Sequence, residues 1–169
     1  MSNPIDWLTG LPSKAQLNSE LAASHNQRWL ALIDIDQFIY VNYSFGHMVG
    51  DSYLRTLAAL IIGCTDGEVD KVFRTGGEEF VVLTTFIELE AYLAKLKNIQ
   101  HQVAQKQLPY EHPDPSRNRL SVSITALSLT PTQITNFEEL RDAMIDSIYK
   151  VKCESQKNFE SFNIDLRMK

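Results

Sequence analysis

Cysteine is nearly absent from this chain, and that scarcity removes two classes of protein. Of 169 residues only Cys64 and Cys153 are cysteine. Both fall inside helical patterns without metal-ligand spacing, so neither a disulfide scaffold nor a zinc module is expected, and reduced core thiols in a cytosolic protein are. No apolar run approaches the roughly 18 residues of a membrane span, and Met1-Ser2-Asn3-Pro4 lacks the basic-then-apolar pattern of a secretory leader. A cytoplasmic chain with no membrane segment is therefore expected. Runs of lysine or arginine are missing too, and the formal net charge is −5. Phosphate-backbone binding calls for a basic face, so nucleic acid is excluded as the main partner, while a small anion stays compatible if metal ions carry the positive charge. There is no repeat, linker or low-complexity segment, and 44% hydrophobic with 22% charged residues is enough for one domain over 1–169 to bury a full core.

What is present centres on Arg74-Thr75-Gly76-Gly77-Glu78-Glu79-Phe80. Val72-Phe73 lead in and Phe80-Val81-Val82-Leu83 lead out, so Gly76-Gly77 predicts a tight hairpin turn with φ > 0 and with Glu78 and Glu79 at its tip. Neighbouring strand residues point to opposite faces, so the two glutamates can serve different tasks, and bare glycines let a ligand approach the backbone. A solvated hairpin tip is the alternative. The second acidic stretch is Trp29-Leu30-Ala31-Leu32-Ile33-Asp34-Ile35-Asp36, a strand buried on both faces that ends in two carboxylates facing one way, with Ile35 facing the other. Strand-end aspartates are frequent Mg²⁺ ligands because a buried carboxylate needs a positive neighbour. A capping or salt-bridged aspartate is the other reading.

The remaining elements follow from periodicity and capping signals. A helix is predicted over about Ser13 to Ser24, a short one over Gln37 to Phe45, and a glycine-punctuated turn over Gly46 to Asp51, with Asp51 capping a helix whose face is Leu54, Leu57, Ala58 and Ile61. Thr85 with Glu88 predicts a capping box opening a long helix, and Leu120 to Leu127 alternates as a half-buried strand. Asn136 with Glu139 starts the last helix, with Phe137, Leu140, Met144, Ile148 and Val151 on one side, and Phe159 to Leu166 is a closing strand. This order predicts an α+β, ferredoxin-like fold with a mainly antiparallel sheet of about five strands flanked by helices, in which the end of the first strand and the hairpin tip lie side by side.

Several segments in one order resemble the GGDEF family, the diguanylate cyclases, over a core of about 6–158. They are Asp6-Trp7-Leu8-Thr9-Gly10-Leu11-Pro12, Asp34-Ile35-Asp36-Gln37-Phe38, Asn42, Phe45-Gly46-His47, Gly50-Asp51, the Arg74 to Phe80 stretch in its Gly-Gly-Glu-Glu-Phe version, and Ile148-Tyr149 with Lys152. The resemblance implies a palm-type fold and two domains facing each other, each holding one GTP, with cyclic di-GMP and two pyrophosphates as products. It implies Mg²⁺, with Mn²⁺ as an alternative, on Asp34, the Ile35 carbonyl and Glu78, and Glu79 as the residue that takes the proton from the attacking hydroxyl. Asn42 and Asp51 look like guanine readers; for Asp51 a helix cap, and for His47 a packed turn histidine, are the competing readings. The N–H groups of Gln37, Phe38 and Ile39 could hold phosphates, and Gly77 and Lys152 complete the implied substrate contacts. The implied partners are GTP and a second copy, or another signalling protein.

The departures from the family pattern concern charge. Ile39 stands where a phosphate-reaching lysine is usual, Tyr43 replaces an aspartate, Gln156 stands for an arginine, and the product-inhibition pair is reduced to Gly67 and Asp70. Two readings follow: an active but slow cyclase, or a catalytically inactive GTP-binding or scaffold module acting through partners.

Overall fold

A computed structural model describes residues 4–23, 28–85, 87–129, 136–155 and 162–165, without the side chains of residues 143, 147, 148 and 150 onward. Five helices, α1 (Lys14–Ala23), α2 (Phe38–Phe45), α3 (His47–Gly63), α4 (Leu89–Gln105) and α5 (Phe137–Ser155), and five strands, β1 (Arg28–Ile35), β2 (Asp70–Arg74), β3 (Glu79–Thr85), β4 (Val122–Leu129) and β5 (Phe162–Asp165), follow in the order α1-β1-α2-α3-β2-β3-α4-β4-α5-β5. The sheet order is β2-β3-β1-β4-β5. Its first four strands are antiparallel, and β5 lies parallel to β4. The class is therefore the α+β arrangement that the sequence predicts.

Both faces of the sheet are covered, and the side-chain alternation of β1 shows how. Trp29, Ala31, Ile33 and Ile35 join Val41, Leu57, Ile61, Tyr92 and Leu96 in a cluster beneath α2, α3 and α4. Leu30 and Leu32 join Leu17, Leu21, Phe137, Leu140 and Met144 beneath α1 and α5. Every residue of β1 is buried, as a continuous apolar run requires. The same covering explains one difference from expectation: β4 alternates in sequence but is buried on both faces except at Ser128, because α5 lies over its polar side. Ser123 and Thr125, on that side, are almost fully buried.

The helix starts are partly as predicted. Asn136 does cap α5: its Oδ1 accepts from the Glu139 N–H at 3.0 Å, and its amide donates to the Glu139 carboxylate at 3.0 Å. Thr85, by contrast, is the last residue of β3, and α4 begins at Leu89 after Glu88, with no side-chain cap. The strand pairing of Arg28 with Thr85 takes the residue that the pattern assigned to the cap. Ile148 and Val151 fall outside the described side chains, and 159–161 and 166 outside the described residues.

Candidate active site

The alternation that buries Ile33 and Ile35 against α3 places Asp34 on the opposite face, toward α1 and α5. Asp34 is 9% exposed and pairs in register with Glu79 on β3 and with Ser123 on β4. Directly opposed residues of antiparallel strands share a face, so Asp34 and Glu79 are neighbours there. One residue on, the Ile35 N–H donates to the Glu78 carbonyl at 3.2 Å. The strand end and the hairpin tip thus lie side by side, as the order of elements predicts. Asp36 does face the way of Asp34, but its carboxylate is taken up structurally, accepting from the Ser121 and Ser123 hydroxyls at 2.6 and 2.7 Å.

The hairpin tip differs from the predicted two-residue turn. β2 ends at Arg74 and β3 begins at Glu79, so four residues connect them, closed by the Thr75 N–H donating to the Glu79 carbonyl at 3.1 Å. Positive φ among glycines is confined to Gly10 and Gly46 of the described residues, so neither Gly76 nor Gly77 is needed for left-handed backbone. A four-residue connection spreads the reversal over more dihedrals and relieves that requirement. Space at Gly76 is tight instead: a Cβ there would lie 3.1 Å from Glu79 Oε2, so a larger residue would press on that carboxylate. At Gly77 a Cβ would meet nothing within 4 Å, which leaves its backbone open to a ligand.

Arg74 fixes this tip to the N-terminal turn. Its guanidinium donates to both Asp6 carboxylate oxygens at 2.9 and 3.1 Å and to the Gly77 carbonyl at 2.7 Å. Asp6 also accepts from the Thr9 N–H and hydroxyl at 2.8 and 2.6 Å. Burial pushes the Asp6 carboxyl up, but the bonds from Thr9 and Arg74 outweigh it and hold the group below its ordinary value. Sequence reading quoted both motifs without seeing that one holds the other.

A second arginine was missed altogether. Arg141, on the first turns of α5, grips the Glu79 carboxylate with Nε at 2.9 and 3.1 Å and Nη2 at 2.5 Å. Hydrogen bonding to Glu79 raises the Arg141 pKa, with Asp34 and Asp142 adding to the effect. The signal existed in the sequence: Arg141 sits four residues after Phe137, on the edge of the face formed by Phe137, Leu140 and Met144.

The elements after β1 build the other wall. Gln37 takes a left-handed conformation (φ 54°), which turns the chain sharply from strand into α2, and its Oε1 is buried without a hydrogen-bond partner. No side chain caps α2, so its first N–H groups, including those of Phe38 and Ile39, are left without a side-chain acceptor. Phe38 is buried and Ile39 is 59% exposed. Gly46 (φ 80°) separates α2 from α3. Because α3 begins at His47, the predicted turn over 46–51 is mostly helix: Asp51 lies inside it and cannot be its N-cap, and His47 is exposed rather than packed. The Asn42 amide lies so close to Gly50 that a Cβ there would come within 2.1 Å of its Oδ1, so only glycine lets α2 and α3 approach. Asp51 and Gly77 meet across a cleft of about 510 Å³ that also takes in Trp7, Lys14, Asn18 and Arg74. That size suits a small organic ligand.

Among the described residues no group of three or more histidine, cysteine, aspartate or glutamate side chains is gathered to hold a metal. The donors that the resemblance implies for a cation are Asp34, Glu78 and the Ile35 carbonyl; the bond from the Ile35 N–H to the Glu78 carbonyl sets the backbones of 35 and 78 side by side, and hard oxygens of this kind suit Mg²⁺. Lys152 lies in α5, outside the described side chains, and 156 outside the described residues. Asp70 is 5% exposed, accepting from Thr84 Oγ1 at 2.6 Å, from the Lys95 ammonium at 2.6 and 2.7 Å, and from the Asp66 N–H at 2.8 Å. No described helix is long and apolar enough to cross a membrane.

Comparison with known proteins agrees with this layout. Residues 3–158 match the family described as "Diguanylate cyclase, GGDEF domain". Diguanylate cyclase DgcZ of Escherichia coli is 40% identical over 86 residues, 47% of this chain and 28% of that protein. Diguanylate cyclase DgcP of Pseudomonas aeruginosa is 38% identical over 106 residues, 59% of this chain and 16% of that protein. The matches thus span about a quarter or less of these relatives' length. The coiled coil and GGDEF domain of DgcB from Caulobacter crescentus, solved with c-di-GMP, superposes with a TM-score of 0.76 over 96% of this chain and 85% of that one, at 20% identity. The shared fold, the family match across most of the chain and the paired acidic strand end and hairpin tip lead to one conclusion: this chain belongs to the GGDEF, or diguanylate cyclase, family.

Proposed function

We propose that this domain is a diguanylate cyclase, joining two GTP molecules into cyclic di-GMP across a pair of facing copies. The observation that carries this reading is the pairing that sets Asp34 opposite Glu79 and the Ile35 N–H on the Glu78 carbonyl. In each of two transfers a ribose 3′-oxygen forms a bond to the α-phosphorus of the other GTP, and the bond from that phosphorus to pyrophosphate breaks. Asp34, the Ile35 carbonyl and Glu78 would hold Mg²⁺, or Mn²⁺ in its place, which when bound neutralises triphosphate charge and polarises the α-phosphate. Glu79 takes the proton of the attacking hydroxyl. Asp51, which lines the cleft, accepts from guanine's N1–H and exocyclic amine, donors that adenine does not offer together, with Asn42, packed against the neighbouring Gly50, as the second reader. His47, exposed at the start of α3, is a further candidate contact for the nucleotide. The N–H groups of Phe38 and Ile39 at the start of α2, together with Lys152, receive the phosphates, and the open backbone at Gly77 admits the nucleotide.

A second reading, an inactive GTP-binding or scaffold module that acts through another signalling protein, is favoured by the apolar Ile39 and by the guanidinium already seated on Glu79. Incubating the purified chain with GTP and Mg²⁺ and separating the nucleotides by chromatography decides between them. Cyclic di-GMP that disappears in Asp34→Ala supports the cyclase; GTP binding without product in the parent chain supports the module.

A further inference from the structure

Large apolar side chains that stand singly in solvent are common and by themselves carry no meaning. Trp7 differs from the others on this chain by where it stands. It is 79% exposed, and of the large apolar residues exposed among those described it is the one that lines the cleft shared by Asp51 and Gly77. Ile39, Tyr43 and Met48, exposed as well, lie outside that lining. The ring also rises from a fixed base. The Asp6 N–H donates to the Leu11 carbonyl at 2.8 Å, the Asp6 carbonyl accepts from the Gly10 N–H at 2.9 Å, and the side chains of Leu8 and Leu11 are buried. From α3 the Arg55 guanidinium donates to the Leu8 carbonyl at 3.3 Å. With Arg74 on the Asp6 carboxylate, the backbone on both sides of Trp7 is tied down while the indole stays uncovered.

We propose that Trp7 is a nucleotide-binding residue, its indole stacking on the guanine whose edge Asp51 reads. The inference rests on the nucleotide site proposed above. Two cations in the cleft, Arg74 and Lys14, are already engaged in ion pairs with Asp6 and Glu138. Asp51 offers a carboxylate to the donor edge of the base, and the bare backbone at Gly77 offers room. Neither covers the flat faces of a purine, which are its largest apolar surface. An indole is flat, turns about only two side-chain bonds, and stacks on a base at small cost in conformational entropy. On a backbone that is already anchored, that cost is smaller still.

The chain carries two tryptophans, which makes the contact readable. Trp29 is 3% exposed, stacked on Tyr92 with ring centroids 4.8 Å apart, and donates its Nε1–H to the Ile87 carbonyl, so the solvent-exposed part of the emission belongs to Trp7. The probe is 3′-deoxyguanosine triphosphate with Mg²⁺, which lacks the attacking hydroxyl and can be titrated without turnover. It should quench the exposed emission of the parent, and inorganic triphosphate, which carries no base, should not. By calorimetry Trp7→Phe, which keeps a ring, should bind the nucleotide within about threefold of the parent, and Trp7→Ala should bind it roughly tenfold more weakly. In Trp7→Phe the quench should be gone. Neither change removes a buried side chain, so both variants should melt with the parent. An unchanged affinity in Trp7→Ala, a loss as large in Trp7→Phe as in Trp7→Ala, a quench that persists in Trp7→Phe, or an equal response to inorganic triphosphate would overturn the proposal. A nucleotide that binds none of the three folded proteins would overturn the nucleotide site and the stacking with it, whereas equal binding to parent and Trp7→Ala removes the stacking alone.

Discussion

Restoring one positive charge at Ile39 is the most direct test of how much of the active site is already in place. Ile39 is on the first turn of α2 and is 59% exposed, so its replacement by lysine removes little buried surface. With the lysine stem still covering part of what isoleucine covers, the apolar loss is about 1 kcal/mol or less. A cation near the positive end of an eight-residue helix costs about 0.3–1 kcal/mol more. The sum is small beside the stability of a domain, so Ile39→Lys should fold. Against this, a charged donor aimed at developing phosphate charge contributes about 3 kcal/mol, roughly a hundredfold in rate. The missing arginine at Gln156 is not replaced, so a gain of one to two orders of magnitude in cyclic di-GMP formation is expected. Initial rates by chromatography, with a thermal melt of each protein, are the assay. A folded Ile39→Lys domain no faster than its parent would refute the view that the site lacks mainly this cation.

Four further expectations follow from other parts of the molecule. Asp51→Ser should relax the preference for GTP over ATP without loss of fold, since α3 begins four residues earlier and does not depend on Asp51 for its cap; competition binding of the two nucleotides measures this, and an unchanged ratio would remove Asp51 from base recognition. Asp70→Ala should destabilise the chain by about 2–3 kcal/mol, because the Lys95 ammonium, 13% exposed, loses its only described ion-pair partner; a loss of unfolding free energy by urea titration under a quarter of that would contradict it. Cyclic di-GMP should not bind tightly through Asp70, whose carboxylate is closed to solvent, and calorimetry with the parent and Asp70→Ala checks that. Asp6, held below its ordinary value, contributes stability that is present above the unfolded carboxylate range and is lost as pH falls through its folded value. Melting temperature should therefore fall less on acidification in Asp6→Asn than in the parent, and parallel curves would assign the acid sensitivity to other groups.

The acidic strand end was readable because its signals are local. A continuous apolar run ending in Asp34 needs only strand geometry to face the carboxylate away from Ile35, and the hairpin needs only to return beside it. Register then does the rest, bringing Glu78 and Glu79 to the same place. The cap assigned to Asp51 failed because Gly46 and the Asn42–Gly50 contact let α3 begin four residues early, a tertiary matter that no spacing shows. The φ > 0 expected at Gly76-Gly77 failed because the length of the connection, not the glycine pair, sets the turn. For Arg141 the place on the helix face was legible, but its partner was not, for a similar reason. An arginine at the margin of an apolar helix face has no local partner, and its carboxylate lies 62 residues earlier in the chain.

The position of β1 gives the two halves of the site different resistance to opening. β1 is the middle strand, bonded to β3 along one edge and β4 along the other, so the backbone of Ile33 to Ile35 belongs to the segment whose amide hydrogens exchange last, in events close to global unfolding. The hairpin tip over residues 75–78 has no strand on its outer side and is kept in place by the Arg74 side chain, between Asp6 and the Gly77 carbonyl. Its hydrogens are expected to exchange through local fluctuations of lower free energy. One bank of the site is thus fixed at the stability of the whole fold, and the other rests on a few contacts: the bond from Ile35 to Glu78, the closing bond from Thr75 to Glu79, and the Arg74 guanidinium with the turn that holds it.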